Sequence, residues 1–127
     1  MENLIIKGEA KTPTIDFNYS NGELVISGRS IPENSIEFYK PIIEWLESLK
    51  VSDKDKIVLD IKLEYFNTSS SKCILDVFKK LEEIKGVGKD ASIRWYYESD
   101  DEDMEEAGQD FSAIIKVPLE LITVEEL

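Results

Sequence analysis

The sequence contains no histidine and only one cysteine, Cys73, among its 127 residues. Zinc sites of the usual Cys/His kind and nucleophile pairs of the Ser/His or Cys/His kind are therefore excluded, as is a disulfide within the chain. Cys73 is predicted to be a small residue packed in the core rather than a reactive thiol. The absence of these residues therefore excludes many classes of enzyme.

Basic residues and long apolar stretches are also scarce. The chain has 27 acidic and 15 basic side chains and a formal net charge of −12, so phosphate backbones and anionic lipid surfaces repel it on average. No basic region followed by an apolar stretch begins the chain, and no apolar run approaches the roughly 20 residues that cross a bilayer. We expect no nucleic-acid or membrane partner and a cytoplasmic location.

The spacing of apolar residues predicts alternating strands and helices with no linker between them. Strands are predicted at 14–19, 23–27, 57–66, 91–98 and 118–122, and helices at 36–49, 74–84 and 101–115. This order favours an α+β fold in which a mixed sheet is covered by helices on one face. The length suits a single domain over residues 1–127.

Local signals add detail to these elements. Asn21-Gly22 is predicted to supply the positive φ angles of a tight hairpin turn. Asn34 is predicted to cap the first helix, whose apolar positions begin at Ile36, and Pro41 is predicted to kink it. In strand 57–66, alternation places the odd-numbered residues through Tyr65 on the buried face.

The opposite face of the sheet is expected to be solvated. It carries Asp60 and Lys62 from one strand and Arg94 and Tyr96 from another. Such a surface is open to docking, but a plain hydrated face is the simpler interpretation.

Four consecutive hydroxyl residues, 68–71, follow Asn67 where a strand gives way to a helix. The first turn of a helix has unpaired N–H groups and the positive end of the helix dipole. A phosphate added there would bring about −1.5 to −2 charges and find donors already in place. Asn, Ser and Thr are also the preferred helix caps. The residues alone leave both interpretations open.

Acidic side chains are concentrated between residues 98 and 110. An EF-hand loop counted from Asp101 would need glycine at the position of Glu106, so no metal site is predicted. Asp101, Glu102 and Asp103 instead suit the first turn of a solvated helix. Arg29, between the hairpin and the first helix, is a candidate contact for a phosphate or a partner carboxylate.

Several strings in this order resemble the SiaC family of bacterial regulatory phosphoproteins, from about residue 9 to residue 122. They are Ser27-Gly28-Arg29-Ser30-Ile31-Pro32-Glu33-Asn34, Tyr65-Phe66-Asn67-Thr68-Ser69-Ser70-Ser71-Lys72, Trp95-Tyr96-Tyr97, and Asp100 to Glu106 through Gly108-Gln109-Asp110-Phe111. The resemblance implies a fold like that of anti-sigma factor antagonists, the STAS type. It also implies a protein that is not an enzyme and needs no cofactor.

The resemblance implies a role in partner switching. A protein kinase phosphorylates the threonine of the Asn-Thr-Ser-Ser string, which is Thr68 here, and a PP2C-type phosphatase removes the phosphate. The unmodified protein binds and activates a diguanylate cyclase, which makes c-di-GMP. Asn67, Ser69, Ser70 and Arg29 become candidate partner contacts, and we expect a monomer when the protein is free.

Two other functions stay open. One is a non-phosphorylated adaptor of the same fold in which residues 98–110 dock a basic surface and Thr68 is part of a helix cap. The other is a metal-dependent hydrolase that uses the carboxylates of Asp100, Asp101 and Asp103.

Overall fold

The computed structural model describes residues 1–127. It has six strands and three helices. The strands are β1 (Leu4–Ile6), β2 (Thr14–Asn18), β3 (Glu23–Ser30), β4 (Lys56–Phe66), β5 (Asp90–Glu98) and β6 (Leu119–Val124), and the helices are α1 (Ser35–Lys50), α2 (Thr68–Gly86) and α3 (Glu102–Ile114). All predicted elements are confirmed, and only the short β1 was not predicted.

The strands form one mixed sheet in the order β1-β2-β3-β4-β5-β6. β1, β2 and β3 are antiparallel neighbours, whereas β3 to β6 run parallel. Each parallel pair is joined through one helix, and all three crossovers advance in the same direction along the sheet. Since such crossovers are right-handed as a rule, the helices cover a single face. The predicted mixed sheet with three helices is confirmed.

This topology brings three helix starts to one edge of the sheet. Parallel strands β3, β4 and β5 end there, and α1, α2 and α3 each begin within a few residues of the strand end that precedes them. We call this edge the carboxyl edge. The N-termini of the helices, with their unpaired N–H groups, therefore share one end of the molecule.

The core lies between the sheet and the helices. Alternate residues of β4, from Ile57 to Leu63, are fully buried, and those of β5, from Ala91 to Tyr97, are buried with them in one cluster of 26 residues. The intervening residues are mostly half-exposed, as the predicted solvated face requires.

That solvated face contains one partly buried ion pair that the sequence did not predict. Asp60 is only 7% exposed, and it accepts two hydrogen bonds from Arg94, at 2.6 Å to Nε and 2.9 Å to Nη2. Nearby, the Lys62 ammonium lies 4.8 Å from the centre of the Tyr96 ring. Arg94 of the neighbouring strand thus neutralises the charge of Asp60, and the prediction that Asp60 is solvated is wrong.

The hairpin between β2 and β3 is confirmed, but its turn is not the predicted one. Asn18 pairs with Glu23, so four residues make the connection. Only Gly22 has a positive φ, at 71°, and Asn21 does not. The glycine is also needed because a Cβ at this position would collide with the backbone carbonyl of Lys56.

A β-bulge in β4 overturns the prediction for Tyr65. Gly28 pairs with Leu63, but the next residue of β3, Arg29, pairs with Tyr65. Glu64 is therefore an extra residue, and it reverses the alternation beyond it. Tyr65 is 50% exposed, and Phe66 turns toward the core, with its ring centre 6.1 Å from that of Trp95.

Helix α1 begins as predicted and buries most of its predicted apolar positions. Asn34 Oδ1 accepts a hydrogen bond from the backbone N–H of Glu37 at 3.1 Å. Ile36, however, is 79% exposed, because the buried stripe of the helix reaches the predicted Tyr39 from Ser35 and not from Ile36. Pro41 lies inside the helix, and the kink there stays a prediction.

Helix α3 is held against β5 at short range. The indole Nε1 of Trp95 donates a hydrogen bond to the carbonyl of Met104 at 2.9 Å, and Gly108 allows the helix to approach the same indole. Asp101 caps the helix by accepting a hydrogen bond from the N–H of Met104 at 3.1 Å. The acidic first turn is confirmed.

No helix in the structure has both the length and the apolar character to cross a membrane.

Candidate functional site

The hydroxyl residues 68–71 lie at the carboxyl edge, in the first turn of α2. Asn67 is the N-cap, with its Oδ1 accepting a hydrogen bond from the N–H of Ser70 at 2.9 Å. Its own N–H donates to the carbonyl of Ser30, at the end of β3, at 3.0 Å. The first turn of α2 is therefore fixed to the neighbouring strand, and the cap interpretation of Asn67 is correct.

Successive residues of a helix point about 100° apart, so the four hydroxyls face different surroundings. Thr68 and Ser69 are exposed, Ser71 is half-buried, and Ser70 is completely buried. Thr68, the first residue of the helix, is open to solvent and to a modifying enzyme.

Ser70 takes part in a buried chain of hydroxyl groups. Its Oγ donates to the Ser30 carbonyl at 2.9 Å and accepts from Ser30 Oγ at 2.8 Å. Ser30 Oγ is also 2.7 Å from the hydroxyl of Tyr39 on α1. Burial raises the pKa of Tyr39 to about 12, although the hydrogen bond with Ser30 opposes the rise. The chain ties β3, α1 and α2 together.

A second contact joins the starts of α1 and α2 closer to the surface. The hydroxyls of Ser35 and Ser69 are 2.7 Å apart, and Ser69 Oγ also donates to Asn67 Oδ1 at 3.2 Å. Ser69 is thus accessible from outside, but its hydroxyl is bonded to the protein.

The protein concentrates its buried polar side chains here. Only four polar or charged residues are buried, and Ser30, Ser35 and Ser70 belong to this edge, whereas Asp60 is paired on the open face. Burying a hydroxyl costs free energy unless it finds a hydrogen-bond partner. No buried side-chain nitrogen or oxygen lacks a partner, so the arrangement at the carboxyl edge is fully satisfied.

The structure separates the predicted site residues. Arg29 is exposed next to Tyr65 and takes part in none of the ion pairs. Asn67 and Ser69 are accessible, so they and Arg29 stay candidate contacts. Ser70 is sealed inside with its hydroxyl engaged, and this burial is incompatible with the predicted direct contact to a partner.

Ser30, Ser35 and Tyr39 were not predicted from the sequence to belong to this site. The helical period carried a signal for part of the set. Ser70 lies four residues before the buried Ile74, and Ser35 lies four residues before the buried Tyr39. Extending each apolar stripe backward by one turn places both serines on the buried face.

Electrostatics distinguishes the start of α2 from the other two helix starts. The first turn of α1 contains Glu37, and that of α3 contains Glu102, Asp103 and Glu105, whereas the first turn of α2 has no acidic side chain. Acidic side chains near a helix N-terminus offset the positive end of its dipole. Only α2 keeps that end free of a neighbouring carboxylate from its own first turn.

The acidic run at residues 98–110 does not assemble a metal site. No group of three or more His, Cys, Asp and Glu side chains is arranged to hold a metal ion. Asp101 is occupied as the cap of α3, so the carboxylates proposed for a hydrolase do not converge.

Comparisons with known proteins agree with one another. A family model described as SiaC family regulatory phosphoprotein matches residues 6–124. An uncharacterized protein of Pseudomonas aeruginosa (strain UCBPP-PA14) is 36% identical over 111 residues, or 87% of this chain and 88% of that protein. SiaC of Pseudomonas aeruginosa matches with a TM-score of 0.90 at 32% identity, over 98% of this chain and 100% of that chain.

A further match has a partner in its crystal structure. It is a chain in the crystal structure of the diguanylate cyclase SiaD in complex with its activator SiaC, from Pseudomonas aeruginosa. The TM-score is 0.90 at 33% identity, over 95% of this chain and 99% of that chain.

Proposed function

Because the chain belongs to the SiaC family of regulatory phosphoproteins, we propose that it is a signalling adaptor switched by phosphorylation of Thr68. A protein kinase adds the phosphate and a PP2C-type phosphatase removes it. The unmodified form binds and activates a diguanylate cyclase, which raises c-di-GMP in the cytoplasm. The protein acts by contact and carries out no catalysis of its own.

One observation carries this proposal: Thr68 is exposed as the first residue of α2, in a turn that is otherwise fixed. Asn67 holds the turn to β3, so the position of the Thr68 backbone is set before any partner arrives. The hydroxyl is accessible to a kinase and a phosphatase, and its accessible chain neighbours Asn67 and Ser69 are uncharged.

A phosphate on Thr68 is compatible with the fold. The first turn of α2 has N–H groups and a positive dipole end with no carboxylate of its own to compete. Modification therefore leaves the protein folded and changes only its surface.

The same phosphate is incompatible with an interface fitted to a hydroxyl. It adds about −1.5 to −2 charges and three strongly hydrated oxygens. Burying these groups against a partner without matching donors costs far more free energy than burying a hydroxyl. The partner therefore binds the unmodified protein and releases the phosphorylated one.

A second candidate function has one observation in its favour. The carboxylates of α3 appear in none of the ion pairs of the protein. They leave an acidic surface that suits a basic partner whether or not Thr68 is modified. In this function the protein is a permanent adaptor, and Thr68 serves the fold only.

Mass spectrometry of protein purified from its native host distinguishes these two functions. Cleavage after Lys62 and Lys72 releases the peptide 63–72, and fragmentation assigns a phosphate to one residue within it. We expect phosphate on Thr68 and none in Thr68→Ala. A wild-type peptide that is unmodified under all growth conditions favours the permanent adaptor.

Binding and activity then test the switch. Unmodified wild type and Thr68→Ala should both bind the diguanylate cyclase of the host and stimulate c-di-GMP synthesis, and the phosphorylated wild type should do neither. Ser48→Ala, a change on the exposed side of α1, is the matched control. Equal affinity of phosphorylated and unmodified protein would remove the switch.

A further inference from the structure

We infer that Ser30, Ser35 and Tyr39 are positioning residues that confine phosphorylation to Thr68, because Ser35 engages the hydroxyl of Ser69, Ser30 engages that of Ser70, and Tyr39 holds Ser30. The inference rests on the proposed function, since it concerns which hydroxyl the kinase can use. Four hydroxyls in a row would otherwise offer four acceptors within one turn of helix.

Phosphoryl transfer sets the requirement that these residues control. The acceptor oxygen forms a bond to the γ-phosphorus of ATP, the bond from that phosphorus to ADP breaks, and the hydroxyl proton passes to a base of the kinase. An acceptor must therefore be exposed, and its O–H must be free to turn toward that base. A hydroxyl held by its own protein meets this requirement less often.

Ser70 is withheld by burial and by two hydrogen bonds. It is fully buried, and its Oγ bonds both the carbonyl and the hydroxyl of Ser30. The hydroxyl of Tyr39, on α1, lies 2.7 Å from Ser30 Oγ and completes the arrangement. A kinase would have to open the packing between β3, α1 and α2 to reach this oxygen.

Ser69 is withheld by hydrogen bonding alone, because its side chain is exposed. Its Oγ is bound at 2.7 Å to Ser35 and at 3.2 Å to Asn67. The Ser35 contact is the shorter of the two, and it comes from another helix. Ser35 is itself buried, so its hydroxyl is held in place to donate to Ser69 Oγ, whose own O–H is directed toward Asn67.

The remaining two hydroxyls differ in access. Ser71 is half-buried and lines a cavity of about 290 Å³ between α2 and α3, together with Phe66 and Phe111. Thr68 faces solvent at the tip of the helix. The phase of α2 and the contacts of Ser35 and Ser30 therefore leave Thr68 as the acceptor.

The test is the ratio of phosphate on Ser69 to phosphate on Thr68 in the peptide 63–72, from the full-length chain expressed in its native host. A hydrogen bond contributes a net free energy equivalent to about a two- to twelvefold change in an equilibrium. We expect Ser35→Ala to raise the ratio by about that factor. Ser35→Thr keeps the hydroxyl and should restore the wild-type ratio, and Ser48→Ala should leave it unchanged.

A second arm removes the favoured acceptors. In Thr68→Val with Ser35→Ala we expect phosphate on Ser69, and in Thr68→Val with Ser69→Ala we expect none on Ser70. The inference is overturned by an unchanged ratio in Ser35→Ala or by phosphate on Ser70. If the wild-type peptide carries no phosphate at all, the proposed function fails instead, so the two failures are distinguishable.

A measurement without any kinase keeps the inference falsifiable. The Hα–Hβ couplings of Ser69 in NMR spectra should report one side-chain rotamer in the wild type and an average of rotamers in Ser35→Ala. Averaged couplings in the wild-type protein would show that Ser35 does not hold the hydroxyl, and the inference would be lost.

Discussion

Replacing Ser30 by alanine tests the buried hydroxyl chain more directly than any other single change. Ser30 Oγ contacts the hydroxyls of Tyr39 at 2.7 Å and Ser70 at 2.8 Å. In Ser30→Ala the Ser70 hydroxyl still has the carbonyl of residue 30 to bond. The Tyr39 hydroxyl has no other partner, and Tyr39 is 1% exposed. The variant therefore leaves a buried donor unsatisfied.

The magnitude follows from these contacts. A hydrogen bond contributes about 0.5–1.5 kcal/mol net, and a buried polar group left without a partner costs about 1–3 kcal/mol. We expect Ser30→Ala to lower the free energy of unfolding by about 2–4 kcal/mol. Tyr39→Phe, which leaves Ser30 bonded to Ser70, should cost about 1 kcal/mol.

The double variant gives the sharper result. Ser30→Ala with Tyr39→Phe removes the unsatisfied hydroxyl, so it should be no less stable than Ser30→Ala and should regain about 1 kcal/mol. Urea denaturation followed by the fluorescence of the buried Trp95 and by circular dichroism measures all four proteins. Additive losses from the two substitutions would refute the reasoning, because they would mean that Tyr39 finds another partner.

Two further predictions concern packing and charge. Gly108→Ala should lower stability by about 1–3 kcal/mol and change Trp95 fluorescence, because the new methyl group would lie 2.7 Å from the indole Cδ1. Gly86→Ala, also in a helix but with nothing within 4 Å of the new methyl group, should be neutral or stabilising, and equal effects at both sites would contradict the packing argument. Hydrogen bonding to Lys50 lowers the pKa of Glu47 to about 2. Its stabilising contribution is thus present above about pH 4.5 and lost as pH falls through about 2, and a carboxyl NMR titration with an ordinary midpoint would contradict this.

The predicted order of elements was correct because hydrophobic period and turn chemistry are local properties. Strand β5 shows this, since Ala91, Ile93, Trp95 and Tyr97 alternate with half-exposed neighbours in both the sequence pattern and the structure. Helix caps are equally predictable from the sequence. The Asn34 cap, for example, requires only a hydrogen bond from the N–H of the third residue after it. Elements of this kind are determined within about one turn or one strand.

The errors arose where a neighbouring strand or helix decides the outcome. The bulge at Glu64 depends on how β3 pairs with β4, and alternation within β4 alone predicts the wrong face for Tyr65. The pattern of β4 alone predicts that Asp60 is solvated, because the pattern contains no information about Arg94 of the adjacent strand, which donates a hydrogen bond to it. Ser35 and Ser69 are 34 residues apart in sequence, so the local sequence around either residue does not predict their contact.

The choice of Thr68 as the proposed switch residue shows the same division between local and distant information. The hydroxyl string alone made residues 68–71 equivalent, and the resemblance to a family selected Thr68. The structure supplies a physical distinction: Ser70 shares the buried face of Ile74, whereas Thr68, two residues earlier, is rotated about 200° away from Ser70. The phase of the apolar stripe of α2 therefore orients the hydroxyls. Ser35 of α1 then engages Ser69, and Ser30 of β3 engages Ser70.

In the proposed function, the discrimination between the two forms has to act at short range. The protein carries a net charge of −12 before modification, and a phosphate adds about −1.5 to −2. The long-range field that guides a partner toward the protein thus changes by only about an eighth to a sixth. At physiological ionic strength that field is screened over about 8 Å. What changes completely is the contact itself, where a neutral hydroxyl is replaced by a hydrated dianion at the tip of α2. The switch therefore depends on the partner's need to desolvate Thr68, and this places its effect on the lifetime of the complex rather than on the rate of encounter.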